Sequence, residues 1–224
     1  MTIFQKTVKS NSRPVYSNQP DVHTRLRETV LKHLESDFQC PVSDSQRQQF
    51  ELAWNWQQQL DRPFIIDSGC GTGLSSFILA QKHPDKLVIG IDQSSHRLRE
   101  SGQYLAQQSN LFYLQARMEE FWLLAEEADW HPVKQFFLYP NPWPKQKHLL
   151  RRWHGHPIFP IILKLCKTLE LRTNWLIYAK EFNLALSLYG ITGQLSEYHP
   201  RTAISRFEQK YIASQHSLFR VSTK

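Results

Sequence analysis

From Pro63 onward the chain alternates between two kinds of segment. Short β-rich apolar runs at 64–66, 87–91, 111–114, 136–139 and 175–179 are separated by stretches with helical spacing at about 74–82, 95–108, 118–128, 157–169 and 182–189. Such alternation calls for a parallel sheet, because a parallel strand is reached only by a crossover, and the crossover helices must cover both faces. Two more strand-like runs, at 194–199 and 217–221 with no clear helix between them, predict an antiparallel pair that completes the sheet. The expected fold is therefore α/β: doubly wound, with a mostly parallel sheet of about seven strands and an antiparallel last strand.

Ahead of the alternation, Val22, Leu26, Val30 and Leu34 recur every fourth residue and predict a first helix. Ser43 or Asp44 can cap a second helix reaching about Leu60, with Phe50, Ala53, Trp54 and Leu60 on its inner face. Residues 1–20 are polar, contain Pro14 and Pro20 and lack periodicity. The expected organisation is a flexible arm (1–20), an N-terminal helical extension (21–60) and one α/β domain (61–224). No apolar run approaches the ~20 residues of a membrane span and no signal-like core opens the chain, so a soluble, cytoplasmic protein is expected. Cys40, Cys70 and Cys166 are too scattered for a zinc site or a disulfide framework. A metal reading of His148, His154 and His156 lacks an acid or cysteine at ligand spacing, so none is expected.

Two loops carry the chemistry. The run from Phe64 through Asp67 to Gly69, Gly71 and Gly73 passes from a strand through a glycine-rich turn into a helix. The Gly-x-Gly-x-Gly spacing differs from the Gly-x-Gly-x-x-Gly of dinucleotide folds. Asp92 closes the next strand, where a carboxylate can accept from both hydroxyls of a ribose. Farther on, Phe136-Phe137-Leu138-Tyr139 runs into Pro140-Asn141-Pro142-Trp143-Pro144-Lys145, where the prolines end the strand and fix an amide, an indole and a lysine at the edge where open sheets bind ligands. Arg151 and Arg152 follow, in a chain with net charge +7, and an anionic partner with planar bases suits this set.

The glycine turn resembles the first motif of S-adenosylmethionine-dependent methyltransferases. The Asn141 segment resembles the Pro-Asp-Pro-Trp hallmark of the bacterial tRNA (guanine-N7)-methyltransferases, with its following lysine and His/Arg run. Ser205-Arg206-Phe207-Glu208 is similar to that family's Thr-Lys-Phe-Glu, and Tyr178-Ala179-Lys180-Glu181 stands where the family has Ala-Thr-Asp, Glu181 taking the aspartate's place. The resemblance implies a Rossmann-like methyltransferase fold, S-adenosylmethionine as cofactor and tRNA as partner. It implies that Asp67, Gly69, Gly71, Gly73, Asp92, Arg117 and Asn141 bind the cofactor, that Asn141 is catalytic, and that Lys145, Arg151, Arg152, Glu181, Ser205 and Glu208 hold the substrate. Asn141 in place of aspartate leaves two alternatives: a non-catalytic RNA-binding subunit, or methylation of an exocyclic amino group on a base.

Overall fold

The computed structural model describes residues 10–224. The first half of the arm expected at 1–20 thus lies largely outside the described residues. Two helices come first, α1 (Leu26–Leu34) and α2 (Asp44–Leu60), and Ser43 caps α2 by accepting from the Gln46 amide. They do not stand apart: Leu26, Val30, Phe50 and Ala53 join the same apolar core as the sheet, and Trp130 stacks on Phe64 while meeting Phe50 edge-on. Leu60, expected to face inward, is exposed. Gln57 is buried in its stead and accepts from the Trp130 indole, since the helix turns that face toward Trp130.

The sheet contains β1 (Phe64–Ser68), β2 (Leu87–Asp92), β3 (Leu111–Gln115), β4 (Lys134–Leu138), β5 (Leu169–Thr173), β6 (Gly193–Glu197) and β7 (Phe219–Thr223). Their order is β3-β2-β1-β4-β5-β7-β6. β1 to β5 are mutually parallel, and β7 runs antiparallel to both of its neighbours. Phe64 and Ile66 face one layer while Ile65 faces the other, and Leu87 and Ile89 alternate with Val88 in the same way, so the strands read as continuous apolar runs because both faces are covered. The connecting helices are α3 (Leu74–Lys82), α4 (Ser95–Leu98), α5 (Gly102–Leu105), α6 (Met118–Glu127), α7 (Phe159–Leu165), α8 (Leu176–Leu188) and α9 (Arg206–Ala213). Among the described residues no helix is long and apolar enough to cross a membrane.

Three expectations are corrected. The fifth strand is Leu169–Thr173, and 175–179 opens α8. The expected helix over 95–108 breaks at a 3-10 turn, Arg99–Ser101, where the Ser101 hydroxyl bonds the Leu98 carbonyl. A helix, α9, does lie between the last two strands, capped by Ser205.

Strand order reverses between β1 and β4. The glycine turn leaves the carboxyl end of one and the Asn141 segment leaves the other, so the fold itself brings the two loops to one crevice.

Candidate active site

The three glycines of the turn have different jobs. Gly69 and Gly71 take φ of +75° and +60°, and a Cβ on either would meet no atom within 4 Å, so the turn opens onto free space. Gly73 is needed for packing: a Cβ there would lie 2.7 Å from the Tyr113 ring and from Ser101. Asp67 is enclosed, and its Oδ2 accepts from the Ser75 and Ser76 hydroxyls at 2.6 and 2.7 Å, which ties β1 to the start of α3. Burial pushes its carboxyl up against those two donors, and its Oδ1 has no partner. Asp92, nearly buried, accepts from the Gly71 amide at 2.9 Å, the Ser94 amide at 2.8 Å and Arg97 at 2.8 Å. Its carboxylate braces the turn and retains capacity for a further donor. Arg117 lies past β3 at the start of α6, its exposed side chain paired with Glu120 at 3.3 Å.

One strand over, Tyr139 and Trp143 take φ of +56° and +45°, an uncommon region for side chains of this size, on either side of Asn141. Both are held from outside. The Tyr139 amide donates to the Arg172 carbonyl at 2.8 Å and its hydroxyl to Glu208 at 2.7 Å. The Trp143 amide donates to Asn141 Oδ1 at 3.3 Å, and its carbonyl accepts from Arg152 Nε and Nη2 at 3.2 and 3.1 Å. Asn141 is exposed at the mouth of the crevice. Arg151 lies over the Trp143 ring, 4.7 Å from its centroid, and Lys145 is exposed nearby.

Four sequence expectations change here. Arg152 is fully buried and cannot reach a phosphate. Its Nη1 donates to Glu181 at 2.5 Å and its Nη2 to Gln19 at 3.1 Å, so it is the internal brace of the Trp143 turn. Glu181, also fully buried, sits in α8 and accepts from Arg152, His154, Gln19 and the His23 amide, which leaves nothing for substrate. With β5 ending at Thr173, residues 178–181 lie inside α8 and not at a strand end. Ser205 and Glu208 form a helix cap: Ser205 Oγ accepts from the Glu208 amide, and the buried Glu208 carboxylate accepts from the Ile204 amide at 2.7 Å and from Arg172 at 3.0 Å. They fix α9 rather than touch substrate.

Sequence reasoning missed Gln19 and Arg172, and weighed His154 only as a metal ligand. Gln19 belongs to a strap: Ser12 bonds Ser214 and His216, Ser17 donates to the Pro144 carbonyl at 2.6 Å, and Gln19 ends between Arg152 and Glu181. Residues 12–19, part of the arm expected at 1–20, run along the crevice edge through these bonds. Nothing in their polar composition announces partners so distant along the chain.

His154 is fully buried, and burial pulls its pKa down against the attraction of Glu181. It is the neutral imidazole, donating from Nε2 to Glu181 at 2.9 Å; a second proton on Nδ1, which has no partner, would be an orphaned donor. Burial also opposes the charge on Glu181, but His154 and Arg152 outweigh it and hold the carboxyl at about 2. The unfolded chain therefore binds protons that the folded one refuses, and stability falls as pH drops below the ordinary histidine value of about 6.5. A further loss follows as pH falls from the ordinary carboxylate range toward 2. We expect melting temperature to decline between pH 7 and 5, and His154→Gln, which can donate without titrating, to flatten part of that decline. His33, His83, His148 and His156, also lowered by burial, act in the same direction, and His131, raised by its bond to Asp129, opposes them. Parallel curves for the two proteins would remove His154 from the account. Among the described residues no His, Cys, Asp and Glu cluster could hold a metal.

An open, mostly parallel sheet with one reversed strand, a glycine cradle after β1 and an acid after β2 places the chain among α/β methyltransferases. In fold it matches a structure titled an antibiotic-related methyltransferase (TM-score 0.53, 18% identity, 83% of this chain and 96% of that one) and the 16S rRNA methyltransferase KamB (TM-score 0.51, 17% identity, 82% and 94%). The chain belongs to the family described as "Putative methyltransferase", which matches residues 61–221. Curated relatives include a tRNA (guanine-N(7)-)-methyltransferase of Acinetobacter baylyi, 26% identical over 95% of this chain and 84% of that protein. Another, of the same name from Pectobacterium atrosepticum, is 26% identical over 76% and 73%.

Proposed function

We propose that this chain transfers a methyl group from S-adenosylmethionine to N7 of a guanine in tRNA. The observation that carries the reading is the pairing, across the reversal point, of the open glycine cradle with the braced Asn141-Pro142-Trp143 turn; the names of the curated relatives specify the base and the RNA. The cradle fits the cofactor. Gly69 and Gly71 leave room along the turn, and Asp92 Oδ2 retains one acceptor site for a ribose hydroxyl. When bound, S-adenosylmethionine supplies an electrophilic methyl group.

Guanine N7 carries a lone pair and no proton, so the chain needs no general base. What it must do is hold the base in line and offset the charge that develops. Asn141 Oδ1, turned by its bond from the Trp143 amide, has one lone pair left to accept from the guanine N1/N2 edge. Lys145 and Arg151, both exposed beside it, meet phosphate.

Unmodified tRNA incubated with the wild type should become cleavable after borohydride reduction and aniline treatment, the signature of N7-methylguanosine. Asn141→Asp should preserve or raise the yield, because a carboxylate adds stabilisation of the cationic product. Asn141→Ala should lower it on the order of 100-fold. If none of the three gives cleavage although cofactor and tRNA both bind, the catalytic reading fails.

A further inference from the structure

Helix α9 carries an aromatic ladder that the proposed chemistry does not use. The Phe207 and Tyr211 rings, one helical turn apart, are near parallel at 24° with centroids 6.1 Å apart. Tyr211 continues to His216 at 5.3 Å and 21°, and touches Tyr139 at 5.3 Å. His216 Nδ1 lies 3.1 Å from the Asn174 amide. The ladder therefore runs along the carboxyl edge of the sheet toward the residues beyond β4 and β5. Its outer rung, Phe207, is 50% exposed.

An exposed phenylalanine alone is ordinary, and this one differs in two respects. First, α9 begins between the two functional loops: Arg206 Nε bonds Thr72 Oγ1 of the glycine turn at 3.1 Å, while Glu208 holds the Tyr139 hydroxyl. Second, Lys210 stands three residues on along α9, half-buried on the same helix face, and Arg201 is exposed in the preceding loop, while the Arg206 guanidinium is held by Glu100 at 3.2 Å. An exposed aromatic face with a lysine one helical turn away, on a chain of net charge +7, matches a single-stranded nucleic acid, whose bases stack while its phosphates meet the charges. A second copy of this chain is the weaker candidate, since it would bring a net charge of +7 against the same sign.

We propose that Phe207 is a stacking platform for an unpaired nucleobase flanking the target guanine, with Tyr211 and His216 fixing its ring. The proposal rests on the RNA substrate argued above. Its test compares tRNA affinity over a range of salt for the wild type, Phe207→Ala, Phe207→Trp, Arg151→Ala and Leu52→Ala, the last an exposed apolar residue on α2. Stacking does not release counterions. Phe207→Ala should therefore weaken binding on the order of tenfold at every salt concentration with an unchanged slope of log affinity against log salt. Arg151→Ala should instead lose about one unit of slope. Phe207→Trp should bind like the wild type, Leu52→Ala should change nothing, and affinity for S-adenosylmethionine should stay level throughout. Binding by Phe207→Ala within about twofold of the wild type overturns the proposal. So does a tryptophan variant as defective as alanine, or a shift from dimer to monomer in light scattering, which would make the ladder an interface between copies. Failure of the wild type to bind tRNA at any salt overturns the RNA reading itself and is recognisable as such.

Discussion

Replacing Glu181 by alanine should cost about 3 to 5 kcal/mol of folding free energy, because it strands a buried guanidinium that has no route to water. Arg152 and Glu181 are both fully buried at 2.5 Å, and the same carboxylate also satisfies His154, Gln19 and the His23 amide. Urea denaturation of Glu181→Ala checks the figure, and a loss under about 1 kcal/mol, the level of a surface pair, would mean that solvent reaches the cluster. Stability and positioning can then be separated. Exchanging both partners for apolar residues, Arg152→Met with Glu181→Leu, should recover part of the stability by removing the stranded charge, although His154, Gln19 and the His23 amide still lack their acceptor. Activity should not return with it. The Trp143 carbonyl would have lost both of its donors, and the turn that presents Asn141 would be free to relax from its left-handed backbone.

Replacing Asp92 by alanine should weaken S-adenosylmethionine binding by about 2 to 3 kcal/mol, roughly 30- to 150-fold in Kd. The side chain does two things at once: it offers its remaining acceptor site to a ribose hydroxyl and it holds the Gly71 amide, which keeps the cradle in shape. Asp92→Asn keeps one acceptor and should fall between the two. Calorimetric titration of folded protein measures the effect, and an unchanged affinity in the alanine variant would sink the assignment of this cradle to the cofactor.

Much of this was legible from local pattern. The alternation from Pro63 yields the doubly wound sheet, and the placement of the glycine turn, Asp92 and Asn141 at one edge follows from topology alone. What escaped was whatever depends on charges neutralised at a distance. β5 reads Leu-Glu-Leu-Arg-Thr and is buried at every position, because Arg172 is bonded to Glu170 at 2.7 Å and to Glu208, and Lys134 bonds Glu170 at 3.0 Å. A local reading passes over such a strand and takes the more apolar 175–179. That shift made Lys180-Glu181 read as the end of a strand, where the structure has the buried interior of α8. α9 was missed for a related reason. Its fully buried residue is Glu208, not an apolar stripe, and the Ser205 to Glu208 spacing that marks a cap was read as a substrate motif.

The strap that runs from Ser12 to Gln19 has a bearing on how the molecule is made. Its partners Pro144, Arg152, Glu181 and Ser214 lie 127 to 202 residues away along the chain. Contacts of such separation form late, after the entropy of closing very long loops has been met by the rest of the sheet. During synthesis, residues 12–19 leave the ribosome well before any surface exists to receive them, and they wait through the production of the whole α/β core. The crevice edge is thus finished only once the segment around Ser214 has emerged, and its completion reports on the folding of the whole described chain.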